Sequence, residues 1–210
     1  MPKNQQSDPC CANFIARSIF NSFEEILGQE EFRRVLELAN LAHYLDSYPP
    51  QNTEKIFPLQ DLKAFFETIL TCYGEQSSRG LILRSGRTWF NRLYHQPSPS
   101  LGLSSLEFIT LPKKLKQHRG AQILAGYFSR YTDWQIKTSV EGAFVVWQLE
   151  TSSNENNAFL KCFMDLFLGF WQEALYWISG GKTYIFDPLF ERPRTNFLPA
   201  QICIPTIPID

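Results

Sequence analysis

Residues 159–184 read FLKCFMDLFLGFWQEALYWISGGKTY, and this segment decides the fold. Its apolar side chains recur at steps of three and four, which predicts an amphipathic helix. They are Leu160, Phe163, Phe167, Trp171, Ala174, Leu175 and Ile178. Further apolar residues widen this stripe, so we expect the helix at the centre of a domain or beside an apolar guest. Lys161, Asp165 and Glu173 argue against a membrane span, because each charge would cost roughly 2.5–3.5 kcal/mol at the bilayer centre.

The segments on either side of this helix have the alternating pattern of β-strands. The predicted strands are residues 134–141, 143–150, 182–190 and 201–208. The first two flank Gly142 and predict a tight antiparallel hairpin. Gly180 and Gly181 are expected to end the preceding helix. Pro205 and Pro208 restrict the last strand to an edge or a partly irregular strand.

Helical periodicity dominates the chain before the hairpin. The predicted helices are residues 13–27, 30–45, 59–73, 79–95 and 112–131. Gly28 and Gly74 are expected to break the pattern, and residues 1–11 are expected to form a flexible arm. The predicted fold is therefore a single α+β domain over residues 12–210. Its N-terminal helices precede a β-β-α-β-β unit with an antiparallel sheet.

The composition is typical of a globular chain without a polyanionic partner. Its 210 residues are 44% hydrophobic and 15% aromatic, and the net charge is −1. That charge argues against nucleic-acid binding as the main task. The five cysteines show neither a disulfide framework nor zinc-ribbon spacing. The N-terminal segment lacks the apolar core of a secretory signal, so we expect a cytoplasmic protein.

Four local strings, taken in this order, resemble the 4-vinyl reductase family, also called hydrocarbon-binding domains. The strings are FEEILG at 23–28, YG at 73–74 with RGLILRSGR at 79–87, the hairpin at 134–150, and LGFWQEALYWISGG at 168–181. The family is related in fold to small subunits of the TRAPP vesicle-tethering complex. This chain departs from the family near its end, where Cys203 is the one cysteine among the residues at 187–203. A metal site is therefore not expected.

The resemblance implies a non-enzymatic binding or carrier protein for a hydrophobic small molecule, such as a tetrapyrrole of chlorophyll biosynthesis or a lipid-like tail. An alternative is an assembly factor that acts through protein contacts, since some cyanobacterial members are associated with photosystem assembly. A third hypothesis is a reductase of a tetrapyrrole vinyl group. The resemblance also implies a homodimer or a protein-complex partner, and a location peripheral to a thylakoid membrane is one alternative to the cytoplasm. No cofactor is expected apart from a bound tetrapyrrole or lipid.

Candidate site residues come from the aromatic helix and from the basic helix before it. The expected ligand-binding residues are Phe163, Phe167, Trp171, Trp89, Arg84 and Arg87. The aromatic rings suit the apolar part of a ligand, although packing in the core is an equally simple interpretation. The two arginines are one turn apart and suit an acidic group, the alternative being a solvated face.

Motifs for catalysis are not found in the sequence. It has no GxGxxG, Walker A, HExxH or GxSxG string, and His43, His95 and His118 lie in different predicted elements. We therefore expect no catalytic and no metal-binding residues.

Two further segments have alternative readings. The basic run PKKLKQHR at 112–119 is read as a solvated face, with contact to an anionic membrane surface as the alternative. The first helix, which carries Phe14, Phe20 and Phe23, is the candidate contact for self-association, with packing on the second helix as the alternative.

Overall fold

The structure is a computed structural model that describes residues 9–150, 157–186 and 200–208. The helices are α1 (Asn13–Leu27), α2 (Gln29–Leu38), α3 (His43–Asp46), α4 (Leu59–His95), α5 (Leu106–Ile109), α6 (Lys113–Tyr131) and α7 (Asn157–Ser179). The strands are β1 (Cys10–Ala12), β2 (Lys55–Pro58), β3 (Gln135–Glu141), β4 (Phe144–Glu150) and β5 (Ala200–Pro205). The α+β class is confirmed. Residues 1–8 of the predicted arm and residues 187–199 lie outside the described residues.

The long helices at the centre are those that the periodicity predicts. Helix α4 packs against both α7 and α1, and α6 packs against α7 and the sheet. At the crossing of α4 and α7 the two backbones touch. A Cβ added to Gly86 would lie 2.1 Å from the carbonyl oxygen of Leu166, and a Cβ added to Gly169 would lie 2.1 Å from that of Leu83. Only glycine permits this approach.

Helix α4 changes direction at Gly74, where the backbone is non-helical with φ 72° and ψ 166°. The predicted break is thus present, but the helix resumes directly after it and not at residue 79. Residues 75–79 are polar, so periodicity could not assign them to a helix. The structure explains Ser78: its hydroxyl is buried and donates a hydrogen bond of 3.0 Å to the carbonyl of Ile69, on the other side of the break.

The predicted helix over residues 30–45 is interrupted in its second half, between α2 and the short α3. Helix α2 ends at Leu38, and Asn40 adopts a left-handed backbone with φ 60°. The amide of Leu41 donates to the carbonyl of Leu36 at 2.8 Å, which closes a helix-terminating turn. Because Leu41 is still buried, the apolar pattern continues across a break that the sequence does not reveal.

Strands β1 and β2 form an antiparallel pair that the sequence did not predict. Cys11 pairs with Phe57 and is buried, so the predicted arm over residues 1–11 must end before Cys10. The carboxylate of Asp133 accepts a hydrogen bond of 2.8 Å from the amide of Cys10, and it forms an ion pair with Lys55 at 2.5 Å. This two-stranded sheet is thereby attached to the segment that directly follows α6.

The larger sheet has the strand order β3-β4-β5 and is antiparallel throughout. The hairpin around Gly142 is confirmed, and Trp147 of β4 lies opposite Thr138 and Ile202 in the register. Strand β5 pairs with β4 alone among the described strands, as expected of a strand that ends in Pro205. The predicted strand over residues 182–190 is wrong for its described part, since residues 182–186 form neither strand nor helix.

The first helix does not offer its phenylalanines to a partner. Phe14, Phe20 and Phe23 are all buried. The ring of Phe20 contacts Phe32 of α2 at 5.8 Å, so the first helix packs on the second, which is the alternative interpretation given above. A self-association surface built on these three rings is thus excluded, while self-association itself stays a prediction.

Candidate functional site

The four aromatic residues named from the sequence lie together in the core. Phe163, Phe167, Trp171 and Trp89 are buried. Phe167 lies 5.4 Å from Trp89 and 4.9 Å from Phe163, both in edge contacts. Trp171 joins the same cluster through Trp147, at 5.8 Å. Such ring contacts stabilise a close-packed interior. None of the four lines the pocket described below.

The two arginines named from the sequence have different surroundings. Arg87 donates from Nε and Nη2 to the side-chain oxygen of Gln172 on α7, at 3.0 and 2.6 Å. Arg84 donates from Nε to the carbonyl of Gly80 in its own helix, at 3.3 Å. Spacing by one turn therefore does not bring the two guanidinium groups onto one site. Arg87 lines a pocket and Arg84 does not.

The pocket lies on the outer side of α7 and has a volume of about 270 Å³. It is lined by Arg87, Gln172, Glu173, Tyr176, Lys182, Thr183, Tyr184 and Phe186. Apart from Arg87, none of these residues was predicted from the sequence to belong to a site. The sequence pattern that could have identified them is the polar side of α7, where positions 172, 173 and 176 lie close together by helical spacing. The site was instead predicted on the aromatic side of this helix. The other wall was predicted as a strand.

The end of α7 forms the second wall of the pocket. Gly180 and Gly181 both have positive φ, at 76° and 96°, and their amides donate to the carbonyls of Trp177 and Tyr176. These two bonds form a Schellman motif, which turns the chain back beside its own helix. The hydroxyl of Tyr184 accepts a hydrogen bond of 2.8 Å from Gln117 of α6. The returning segment is thereby attached to a second helix and holds its aromatic side chains at the pocket.

Arg87, Glu173 and Lys182 are the charged residues that line the pocket, and the guanidinium of Arg87 lies between α4 and α7. Among the described residues its hydrogen-bond acceptor is the neutral amide of Gln172, and no carboxylate lies within ion-pair distance. Arg92 on the same helix is different, because it pairs with Glu25 at 2.7 Å. Glu173 also lines the pocket, and its carboxylate accepts a hydrogen bond of 3.3 Å from Asn91. Arg87 is exposed and can therefore be reached from solvent.

Ion pairs elsewhere between α4 and α7 are structural. Arg79 pairs with Asp165 at 3.2 Å, and Lys161 pairs with Glu75. Burial raises the pKa of the Asp165 carboxyl, and the neighbouring Arg79 opposes that rise. These pairs lie among the first two turns of the second part of α4, away from the residues that line the pocket.

The described residues contain free thiols but no metal cluster and no membrane-spanning helix. Within ranges 9–150, 157–186 and 200–208, no group of three or more His, Cys, Asp or Glu side chains could hold a metal ion. No described helix is both long and apolar enough to cross a membrane. Cys11 and Cys162 are buried thiols, whereas Cys72 is exposed. Burial raises the pKa of the Cys162 thiol to about 12, which disfavours the reactive thiolate.

Comparison with models of protein families gives no match to this chain, and comparison with curated proteins gives none either.

Proposed function

We propose that this protein is a non-enzymatic carrier for a small molecule that has an apolar body and an acidic group, and that Arg87 binds the acidic group. The observation that carries the proposal is the guanidinium of Arg87. It lies at a pocket and, among the described residues, is matched by an amide and by no carboxylate. A carboxylate or similar anion would supply the charge-assisted, bidentate partner that a guanidinium accepts best.

The walls of the pocket support an apolar and flat neighbour for that acidic group. Tyr176, Tyr184 and Phe186 contribute aromatic surface around Arg87. The volume of about 270 Å³ is slightly below the roughly 300–1,000 Å³ of pockets that enclose drug-sized ligands. The pocket therefore suits the acidic end of a larger molecule whose body extends beyond it. A tetrapyrrole carboxylic acid and a lipid-like acid both have this form, and both agree with the resemblance to hydrocarbon-binding domains.

The test compares acids with their esters. Protoporphyrin and its dimethyl ester form one probe pair, and parinaric acid and its methyl ester form the other, with binding followed by quenching of intrinsic fluorescence. The wild type should prefer the acid in one pair by roughly 10–150-fold, the equivalent of the 1.5–3 kcal/mol of a hydrogen bond to a charged group. The pair that shows the preference identifies the class of ligand.

Arg87→Gln should remove most of the preference for the acid, because a neutral amide cannot form the charge-assisted, bidentate pair. Arg84→Gln is the matched control, since Arg84 lies one turn earlier on the same helix, is exposed, and does not line the pocket. The proposal fails if Arg87→Gln retains the preference for the acid, if both variants lose it equally, or if the wild type binds neither acid.

A further inference from the structure

Three large aliphatic side chains are exposed within ten residues at one corner of the molecule. Leu106 is 77% exposed, Ile109 51% and Leu115 54%. We name residues 105–119, which contain α5 and the start of α6, the α5–α6 corner. Single exposed aliphatic residues are common on protein surfaces, but a group of three in adjoining short segments is not.

The corner is a defined structure, so these side chains are held outward by the fold. Ser105 caps α5 by accepting a hydrogen bond of 3.2 Å from the amide of Phe108. The ring of Phe108 points inward, is buried, and stacks on Trp177 at 6.4 Å. With Phe108 fixed in the core, its neighbours in this single turn, Leu106 and Ile109, are left on the solvent side.

Helix α6 contributes Leu115 to the same side of the molecule. Its inward positions include Gln117, Gly120 and Ala121, all buried, so Leu115 and Arg119 lie one turn apart on the outward face. Arg119 pairs with Glu107 of α5 at 3.4 Å. This ion pair joins the outward faces of the two helices, and the three aliphatic side chains therefore belong to one surface.

The charge of the corner is opposite to that of the whole chain. The run PKKLKQHR at 112–119 contains three lysines and one arginine, whereas residues 105–119 contain a single acidic residue, Glu107. The chain as a whole has a net charge of −1. The first turn of α6 holds no acidic residue although the helix dipole would favour one there, so the basic run does not serve the stability of α6.

We propose that the α5–α6 corner docks this protein on the surface of an anionic lipid bilayer. Leu106, Ile109 and Leu115 would enter the interfacial region, and the basic residues around them would meet the anionic headgroups. The composition favours lipid over a protein partner. Protein interfaces are depleted in lysine and are enriched at their centres in aromatic residues, whereas this corner exposes aliphatic residues in a segment whose sequence is rich in lysine.

The corner also adjoins the pocket. Gln117 lies two residues after Leu115 and donates to Tyr184 in the pocket wall, at 2.8 Å. A docked protein would thus hold its pocket near the membrane from which an amphiphilic acid could enter. The docking surface does not depend on the carrier proposal, because it rests on exposed side chains and charge alone.

The test is flotation of the full chain with vesicles of phosphatidylcholine, with and without phosphatidylglycerol. The wild type should float with the anionic vesicles and remain unbound with the zwitterionic ones. Leu115→Gln and Lys116→Gln should each weaken binding about fivefold, the equivalent of about 1 kcal/mol per group. Added salt should release the protein, because it screens the attraction of the lysines.

Leu38→Gln is the matched control, since Leu38 is 55% exposed but lies at the end of α2 beside Glu37. It should bind the vesicles as the wild type does. Leu115 and Leu38 are exposed and Lys116 is partly exposed, and unchanged thermal unfolding would show that each variant folds. The proposal is overturned if the wild type binds both kinds of vesicle equally or neither, or if Leu115→Gln and Leu38→Gln have the same effect. A change of oligomeric state in Leu115→Gln without vesicle binding would assign the corner to protein contacts and also overturn it.

Discussion

Replacement of Gly169 by alanine tests the central packing of this fold. The added Cβ would lie 2.1 Å from the carbonyl oxygen of Leu83, whereas ordinary contact begins at 3.4 Å. The obstructing atoms belong to the backbone of α4, so no rotamer change relieves the clash. Helices α4 and α7 would have to separate by about 1.3 Å at their crossing.

The cost follows from the rings that span this crossing. Trp89 and Phe90 of α4 lie 5.0 and 5.2 Å from Phe170 of α7. A gap of about 1 Å forfeits a quarter to a half of the dispersion energy of such contacts. Overpacking of a core costs about 1–3 kcal/mol and occasionally more, while alanine recovers about 1 kcal/mol of helix propensity over glycine. Because the clash is with backbone that no rotamer relieves, we take the upper end of this range, about 3 kcal/mol. After the helix-propensity gain of about 1 kcal/mol, we expect Gly169→Ala to lower the free energy of unfolding by about 2 kcal/mol, a sizeable share of the roughly 5–15 kcal/mol of a typical domain.

The assay is urea unfolding followed by tryptophan fluorescence, in which the midpoint should fall while the slope stays constant. Gly86→Ala should behave alike, and the double variant should cost less than the sum because one separation of the helices accommodates both methyl groups. Gly80→Ala and Gly126→Ala are controls: both positions are helical, a Cβ there meets nothing within 4 Å, and each should gain up to about 1 kcal/mol. A Gly169→Ala protein as stable as these controls would refute the close crossing.

Two further predictions concern titration and reactivity. Because burial raises the pKa of Asp165 above its ordinary value of 3.8, the folded state binds that proton more tightly, and stability falls as the pH rises from 3.8 through the raised pKa. The difference in unfolding free energy between wild type and Asp165→Asn should therefore decrease across this window and then level off; an increase would show that Arg79 outweighs burial. Iodoacetamide should modify exposed Cys72 faster than buried Cys162 by a factor on the order of a hundred or more, as measured by peptide mass spectrometry; equal rates would contradict the burial of Cys162.

The amino-acid sequence by itself determined the elements whose signals are local. Helix α1 has the predicted bounds of 13–27, and the hairpin around Gly142 follows from a period of two beside a glycine. The end of α7 follows in the same way from Gly180 and Gly181, because a left-handed helix terminus favours glycine. Each of these features depends on residues within a few positions of one another, so periodicity and turn chemistry suffice to predict it.

The tertiary structure alone decided what depends on residues distant in sequence. Cys11 and Phe57 become strand partners only when α1 and α4 bring them together, and Gly86 meets Gly169 only at a helix crossing. The candidate site has the same character. Arg84 and Arg87 are equivalent in local pattern, yet only Arg87 reaches α7 and the pocket, since the direction of a helix face is set by what packs against the helix. Sequence periodicity specifies that a face is buried, but the partner of that face is specified by packing across the whole chain.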